Sequence, residues 1–303
     1  MHKLSIGDLE DVNKIYDHIE EEVDLLGREC IEVDVDIDQK GNMELITCKI
    51  RENAEYRKNP LEALNIFRHY IANVIADYII NIKEPKILGK IIGQQYNYFN
   101  MEEKKNILNL AIKSLNEKEG FYFSTSIYKI GKKVKMIEEI VDYLENYNEI
   151  IIDGFIRFRL KNYIEDLKDA VDVAVEDYLM EREYNEFIRL LQYFVDIQEP
   201  KIHTLHILID ESHKFSLLDA NYQTIKNEYL EELATEFLDG EIKYEDLLIS
   251  SLITIAPTRI FIHHLGEPYN KEIMETIQKV FDQRVIICSG CDMCMNKNIV
   301  KKD

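Results

Sequence analysis

The run of residues 155–199 constrains the fold more than any other part of the sequence, because it contains neither glycine nor proline. Apolar residues recur through the run at helical spacing, from Ile156 to Val195. A single helix over this run would be about 68 Å long, which is long for a compact domain. We therefore expect a break near Glu181–Tyr184 and two helices packed together. The apolar stripe is wider than a coiled-coil seam, which favours the core of a helical bundle.

The segments before this run predict further helices and one β-hairpin. Residues 8–26 read as an amphipathic helix, and strands at 31–38 and 43–50 follow, the first with an acidic outer face typical of an edge strand. Pro60 to Asn116 is helical in pattern, residues 121–131 are predicted as a loop or short strand, and residues 133–146 are helical again. We expect a helix plus acidic hairpin in 1–58 and a helical core domain in 59–200.

After Pro200 the pattern changes to alternating strands and helices. It predicts a hairpin of strands 204–209 and 214–218, helices at 221–238, 244–255 and 270–281, and strands at 259–263 and 285–288. The last strand, helix and strand form a βαβ unit, which implies parallel strands. The predicted fold class is therefore α+β and predominantly helical, with a mixed α/β domain over 201–303.

The charge balance disfavours two classes of binding partner. The chain has 303 residues and a net charge of −20, which disfavours nucleic acids and anionic membranes. The middle is slightly basic around four lysines, which form either a weak docking patch for an anionic protein partner or a solvated face beside the acidic 162–200 segment: Lys129, Lys132, Lys133 and Lys135. With no signal peptide, no apolar run that could span a membrane and an odd cysteine count, we expect a cytoplasmic protein.

Three segments of the long helical run carry a family resemblance. They are GFIRFRLK at 154–161, DYLME at 177–181 and EYNEFIRLLQYFV at 183–195. Together they resemble the YtxC-like sporulation proteins of endospore-forming bacteria. The resemblance implies an intracellular protein associated with sporulation. The family has no established biochemical activity, so the resemblance assigns no functional residues.

The sequence pattern C-x2-C-x2-C near the C-terminus is the main candidate site. Cys288, Cys291 and Cys294 could bind zinc or an iron–sulfur cluster, with a fourth ligand from elsewhere in the chain. If the strands at 259–263 and 285–288 are parallel neighbours, His263 or His264 would lie beside Cys288. The competing interpretations are a thiol redox pair and a frayed tail with chance cysteines.

The other candidate residues have weaker patterns. Cys30 and Cys48 could also supply the fourth ligand, although they read as buried core residues. Three histidines flank the predicted hairpin and read as surface residues: His203, His206 and His213. The basic residues of the 154–161 segment are distributed around the helix, which argues against a phosphate clamp: Arg157, Arg159 and Lys161.

Sequence alone therefore favours a non-catalytic interaction protein of the sporulation programme with a C-terminal cysteine site. The alternative is a metal- or iron–sulfur-dependent redox protein or enzyme that uses the same cysteines. The chain contains no phosphate-binding loop, no dinucleotide fingerprint, no nucleophile elbow and no HExxH motif. The sequence therefore lacks the main signatures of several common enzyme families, and no reaction is predicted.

Overall fold

The computed structural model describes residues 3–9, 12–26, 31–41, 43–51, 58–116, 122–209, 215–225, 244–264, 271–291 and 294. The chain divides into two compact units, Met1–Leu179 and Met180–Asp303. The described residues are mainly helical with two small mixed sheets, which confirms the predicted α+β class.

The first unit combines a four-stranded sheet with helices. Its strands are β1 (Lys3–Gly7), β2 (Val33–Lys40), β3 (Met43–Ile50) and β4 (Glu149–Ile151). Its helices are α1 (Val12–Leu26), α2 (Pro60–Tyr78), α3 (Glu84–Gln95), α4 (Met101–Asn116), α5 (Tyr122–Asn146), α6 (Ile152–Phe158) and the first part of α7 (Lys161–Ile197). One apolar core joins these elements, with Phe67, Ile75 and Leu167 among its fully enclosed side chains.

The sheet of the first unit has the strand order β2-β3-β1-β4. The sequence predicted β2 and β3 but not β1, which lies between β3 and β4. Strand β2 is the edge strand that its acidic face predicted. Its carboxylates form ion pairs with basic side chains, Asp34 with Arg51, Asp36 with Lys49 and Asp38 with Lys3. The charged face therefore blocks further strand pairing while the ion pairs compensate part of its charge.

A π-helical turn, Ile79–Lys83, joins α2 to α3. Such turns shift the phase of the helix and are frequent at functional sites. The turn ends at Lys83, whose side chain is 3% exposed and lies against Asp8 and Asp153. Helix α3 begins directly after it with Pro85 in its first turn, where the missing backbone N–H carries no cost.

Two helix predictions were wrong. Residues 122–131 belong to α5 and do not form a loop or strand. No break occurs at Glu181–Tyr184, because α7 runs continuously for 37 residues from Lys161 to Ile197. The interruption lies earlier, between the end of α6 at Phe158 and the start of α7. Within the described residues, no helix is both long enough and apolar enough to cross a membrane.

The second unit contains the rest of α7 and a sheet of order β6-β5-β7-β8. Its elements are β5 (Thr204–Ile209), β6 (Phe215–Leu218), α8 (Tyr244–Ile255), β7 (Arg259–His264), α9 (Lys271–Phe281), a short 3-10 turn (Asp282–Arg284) and β8 (Val285–Ile287). The predicted hairpin is confirmed as antiparallel β5 and β6, and the predicted βαβ unit as parallel β7 and β8. Residues 221–225 form a turn and a bridge, whereas the rest of the helix predicted at 221–238 lies outside the described residues.

Candidate metal centre

The strand order brings one histidine and one cysteine to the same edge of the second sheet. Strands β5, β7 and β8 are mutually parallel neighbours, so their carboxyl ends meet at one edge. His263 lies near the end of β7, and Cys288 directly follows β8. The backbone N–H of Cys288 donates to the carbonyl oxygen of Ile262 at 2.9 Å. This bond extends the pairing of β7 and β8 by one residue. It fixes the position of Cys288, the first of the three clustered cysteines.

The two faces of this sheet have different chemistry because side chains alternate along each strand. Leu205, Ile207 and Ile262 point to one face and belong to an apolar core shared with α8 and α9. By the same register, His206 and His263 belong to the opposite face. There the partly buried Cys291 packs against Leu208 and Leu218. Cys291 therefore covers part of the sheet face that the described helices leave uncovered.

Four potential metal ligands converge at this edge of the sheet. One donor atom from each of His263, Cys288, Cys291 and Cys294 lies within 4.8 Å of the other three, and His263 is buried. The Sγ atom of Cys294 lies 3.7 Å from that of Cys291 and 3.8 Å from that of Cys288. The Nδ1 atom of His263 lies 3.5 Å from the Cys291 sulfur and 3.4 Å from the Cys294 sulfur.

These distances match a tetrahedral zinc site. With Zn–S near 2.3 Å and Zn–N near 2.0–2.1 Å, a tetrahedron places two sulfurs about 3.8 Å apart and a sulfur and nitrogen about 3.6 Å apart. These four separations lie within about 0.2 Å of the two values, and the remaining two, from the Cys288 sulfur to the Cys291 sulfur and to His263, lie within 4.8 Å. In a [4Fe–4S] cluster each cysteine binds a different iron atom, which requires the sulfurs to lie further apart. The donor set and spacing therefore fit one ion, and Cys3His is a common structural zinc set.

Gly290 shapes the loop between the first two cysteines. Its φ of +122° is a conformation that side chains with a Cβ rarely adopt. The turn directs the Gly290 N–H toward the Cys288 sulfur at 3.4 Å. A hydrogen bond from a backbone N–H stabilises a thiolate, the form of cysteine that binds metals. The glycine thus sets the path of the loop and supplies a backbone hydrogen-bond donor to its first ligand.

His206 lies directly behind the four ligands, and its predicted surface position was wrong. The residue is 7% exposed, and its Nδ1 lies 2.9 Å from the Nε2 of His263. If a metal binds His263 through Nδ1, the Nε2 atom carries the proton and donates it to His206. Such an outer hydrogen bond fixes the ring orientation and tautomer of a ligand histidine. The available signal was a histidine within an otherwise apolar strand, between Leu205 and Ile207.

Burial sets the ionisation of two of these groups. It lowers the pKa of His206, an effect that the charge of Asp219 partly offsets, and so favours the neutral ring, whose Nδ1 can accept a hydrogen bond from the Nε2–H of His263. Burial also raises the pKa of the Cys294 thiol; a backbone hydrogen bond from Cys291 opposes this shift, and side-chain hydrogen bonds with Cys291 and Cys288 add to it. A bound metal ion would reverse this balance by favouring thiolates.

The remaining candidate ligands and histidines occupy other positions. Cys48 is buried in β3 of the first unit, where burial raises the pKa of its thiol to about 12. Cys30 and His213 lie outside the described residues, as does the side chain of His264. His203 is exposed, as predicted, and its ring contacts the hydroxyl of Thr258 at 3.3 Å.

The four lysines proposed as a docking patch are located on α5. Lys132 donates to Glu84 at 2.6 Å, and Lys133 donates to Asp77 at 2.8 Å. Lys135 is exposed, and the side chain of Lys129 lies outside the described residues. Two of the positive charges are therefore compensated by acidic residues of the first unit itself, which reduces the charge available to an external partner.

Sequence comparison places the chain in a family. A sequence profile of the YtxC-like family matches residues 69–286, which is more than two thirds of the chain. This chain belongs to the YtxC-like family. One YtxC-like relative is the uncharacterised protein YtxC of Bacillus subtilis (strain 168), which is 28% identical over 219 residues, covering 72% of this chain and 76% of the relative. No solved structure matches the chain.

The family match covers only part of the candidate centre. His206 and His263 lie inside the matched span of residues 69–286, whereas the three cysteines follow its last residue. The family match therefore does not extend to the three cysteines. The case for metal binding comes from the geometry of the four donor atoms in this chain.

Proposed function

We propose that this protein is a non-catalytic interaction protein of the sporulation programme, with a structural zinc ion in its C-terminal sheet. The convergence of His263 and the three cysteines at tetrahedral spacing carries the proposal. Catalytic zinc sites keep one position open for water or substrate, whereas four protein ligands close the coordination shell. The four donors therefore favour structural zinc over catalytic zinc.

The surface of α7 supports an interaction role. Its second half exposes large apolar side chains three or four residues apart, including Phe187 (54% exposed), Leu190 (57%) and Ile197 (59%). Exposed apolar surface of this kind marks protein–protein contact sites. The partner that we propose is accordingly a protein with a complementary apolar surface, and the role in sporulation rests on the family resemblance.

A cytoplasmic location is part of the same proposal. The described cysteines are free thiols, including the three that lie close together at the candidate centre. A reducing compartment keeps neighbouring thiols available for metal binding, whereas an oxidising one converts them to disulfides. The alternative of a redox protein or enzyme that uses the same cysteines would require either an iron–sulfur cluster or a reactive dithiol.

Metal analysis after anaerobic purification tests the proposal. We expect about one zinc ion per chain in the wild-type protein and loss of most of it in Cys291→Ala. Cys48→Ala is the matched control, because it removes a buried thiol from the other unit and should leave the zinc content unchanged. Zinc content is measured by mass spectrometry, and an ultraviolet–visible spectrum is recorded on the same samples.

Each other outcome counts against the zinc proposal. Wild-type protein with fully reduced thiols and almost no metal would exclude it. Stoichiometric iron with visible absorption would instead support the redox alternative. Equal zinc in the wild type and in Cys291→Ala would mean that the bound metal lies at another site.

A further inference from the structure

A cavity in the first unit concentrates positive charge within an acidic chain. Its volume is about 670 Å³, and it lies between α3 on one side and α6 with the start of α7 on the other. Among the described residues, six cationic side chains line it: Lys83, Lys86, Lys90, Arg157, Lys161 and Lys168. The acidic side chains in the described lining are Asp153 and Glu165. This excess of positive charge contrasts with the net charge of −20 of the whole chain.

Helical spacing produces this concentration. Lys86 and Lys90 are four residues apart on α3, so they lie on one face of that helix. Arg157 at the end of α6 and Lys161 at the start of α7 line the same cavity, with Lys168 two turns further along. A cavity lined mainly by one sign of charge attracts ligands of the opposite sign.

The basic residues at 157, 159 and 161 do not share one helix, contrary to the sequence prediction, because the chain changes helices between Phe158 and Lys161. Arg159 does not line the cavity with the other two. Its guanidinium carbon lies over the ring of Tyr143, 5.6 Å from the ring centroid. Arg157 and Lys161 remain together at the cavity.

A buried charge network forms the inner wall of the cavity. Lys83 Nζ lies 2.7 Å from Asp8 Oδ1 and 3.0 Å from Asp153 Oδ1. Burial alone would lower the pKa of Lys83, but the hydrogen bonds to both carboxylates outweigh burial and raise it. Asp153 also accepts the backbone N–H of Leu9 at 3.0 Å. Asp153 is thus engaged by Lys83 and the backbone, and Glu165 is the other acidic side chain in the described lining.

The cavity also has apolar surface beside its charges. Ile87 and Ile91 line it from α3, and Ile156 and Ile164 line it from α6 and α7. Its volume falls within the range of small-molecule sites, about 300–1,000 Å³. A guanidinium pairs with two phosphate oxygens through parallel hydrogen bonds, whereas lysines act as mobile point charges. A ligand with phosphate groups and an apolar or flat part would complement both surfaces.

We propose that this cavity binds a small phosphate-bearing molecule, with Arg157 and Lys161 contacting the phosphate groups and the isoleucines contacting the rest of the ligand. The residues of this cavity belong to the first unit, whereas the candidate zinc ligands belong to the second. Inorganic polyphosphates and nucleotides share this chemistry, and they differ in whether they can cover the apolar wall.

Isothermal titration calorimetry with the full chain tests this site, using pyrophosphate and ATP as probes at constant ionic strength. We expect saturable binding of both, with ATP the tighter ligand because its base can contact the isoleucines. The double substitution Arg157→Gln with Lys161→Gln should weaken both affinities by about tenfold or more, because it removes two charge-assisted contacts. The control Lys105→Gln with Arg189→Gln removes the same charges from exposed helix positions outside the cavity.

The probes separate the possible ligand sources. Equal affinity for pyrophosphate and ATP would support the phosphate site and assign it to inorganic phosphates, whereas tighter binding of ATP would assign it to nucleotides. Circular dichroism confirms that both double variants are folded, as expected for substitutions of exposed side chains. The proposal is overturned if neither probe gives saturable binding at millimolar concentration, or if the two double variants bind equally well.

Discussion

At the scale of single residues, His206 contacts a candidate metal ligand without being one of the four candidate ligands itself. Its Nδ1 faces the Nε2 of His263 at 2.9 Å, and its ring is held between Phe261 and Tyr222, with centroid distances of 5.1 Å and 4.6 Å. This packing leaves the His206 ring little rotational freedom. The hydrogen-bond partner of the candidate ligand His263 is therefore held in place by packing.

We predict that His206→Ala lowers zinc affinity by about 10- to 100-fold, the usual cost of losing a partner of a ligand histidine. Competition with a chromophoric chelator measures the affinity. His206→Asn should recover most of the loss, because its side-chain oxygen can accept the same proton. The exposed His203→Ala serves as the control. Equal affinities for the wild type and His206→Ala would show that this contact has no role in metal binding.

At the scale of secondary-structure elements, the continuity of α7 corrects a prediction based on length. At 37 residues the helix is about 55 Å long, and the predicted break assumed that such a helix could not fit one compact domain. The helix instead contributes residues to both units. Nothing in the local sequence favours a break, since Glu181–Tyr184 has no glycine or proline and Arg182 lies within 3.9 Å of Glu186 one turn later.

The exposed apolar face of α7 gives a prediction about partner binding. We expect that Phe187→Ser with Leu190→Ser reduces capture of at least one protein from lysates of sporulating cells by about tenfold, equivalent to 1.4 kcal/mol. Both side chains are more than half exposed, so the substitutions should leave the free energy of unfolding nearly unchanged. Quantitative mass spectrometry of material captured by the tagged chain provides the measurement.

Val173→Ser is the matched control for this experiment, because Val173 is also exposed on α7 but precedes the apolar face. A partner specific to the face is retained by this variant and lost by the double variant. The interaction role would be contradicted by identical captured proteins from all three chains, or by the absence of any reproducible partner of the wild type.

The local residue pattern predicted the strands and helices whose packing and pairing partners are near in sequence. The unit β7-α9-β8 was correct because its strands are apolar, its helix is amphipathic and a parallel crossover follows from their order. Strand β1 was missed because it is five residues long and pairs with β3 and with β4, some 145 residues away. At the candidate site, topology indicated His263 or His264, whereas the position of His206 depends on a diagonal contact across two strands that the one-dimensional pattern does not contain.

At the scale of the whole molecule, the two units have separate apolar cores. One core includes side chains from β1 to the first part of α7, and the other includes the end of α7 and the elements after it. The candidate zinc ligands all belong to the second unit. Metal binding should therefore stabilise the second unit more strongly than the first. The reason is that a bound ligand opposes only those unfolding events that destroy its binding site.

Hydrogen exchange with and without a zinc chelator tests this coupling. We predict that chelation lowers the protection of β5, β7 and β8 in the second unit, while α2 and α3 in the first unit exchange at unchanged rates. A metal present at 100 times its dissociation constant contributes about 2.7 kcal/mol, so protection should fall by about 100-fold where exchange requires unfolding of the second unit. In Cys291→Ala the exchange should be independent of the chelator. If protection falls equally in both units, the metal stabilises the chain as one cooperative structure. If it falls in neither, the four donors hold no stabilising ion.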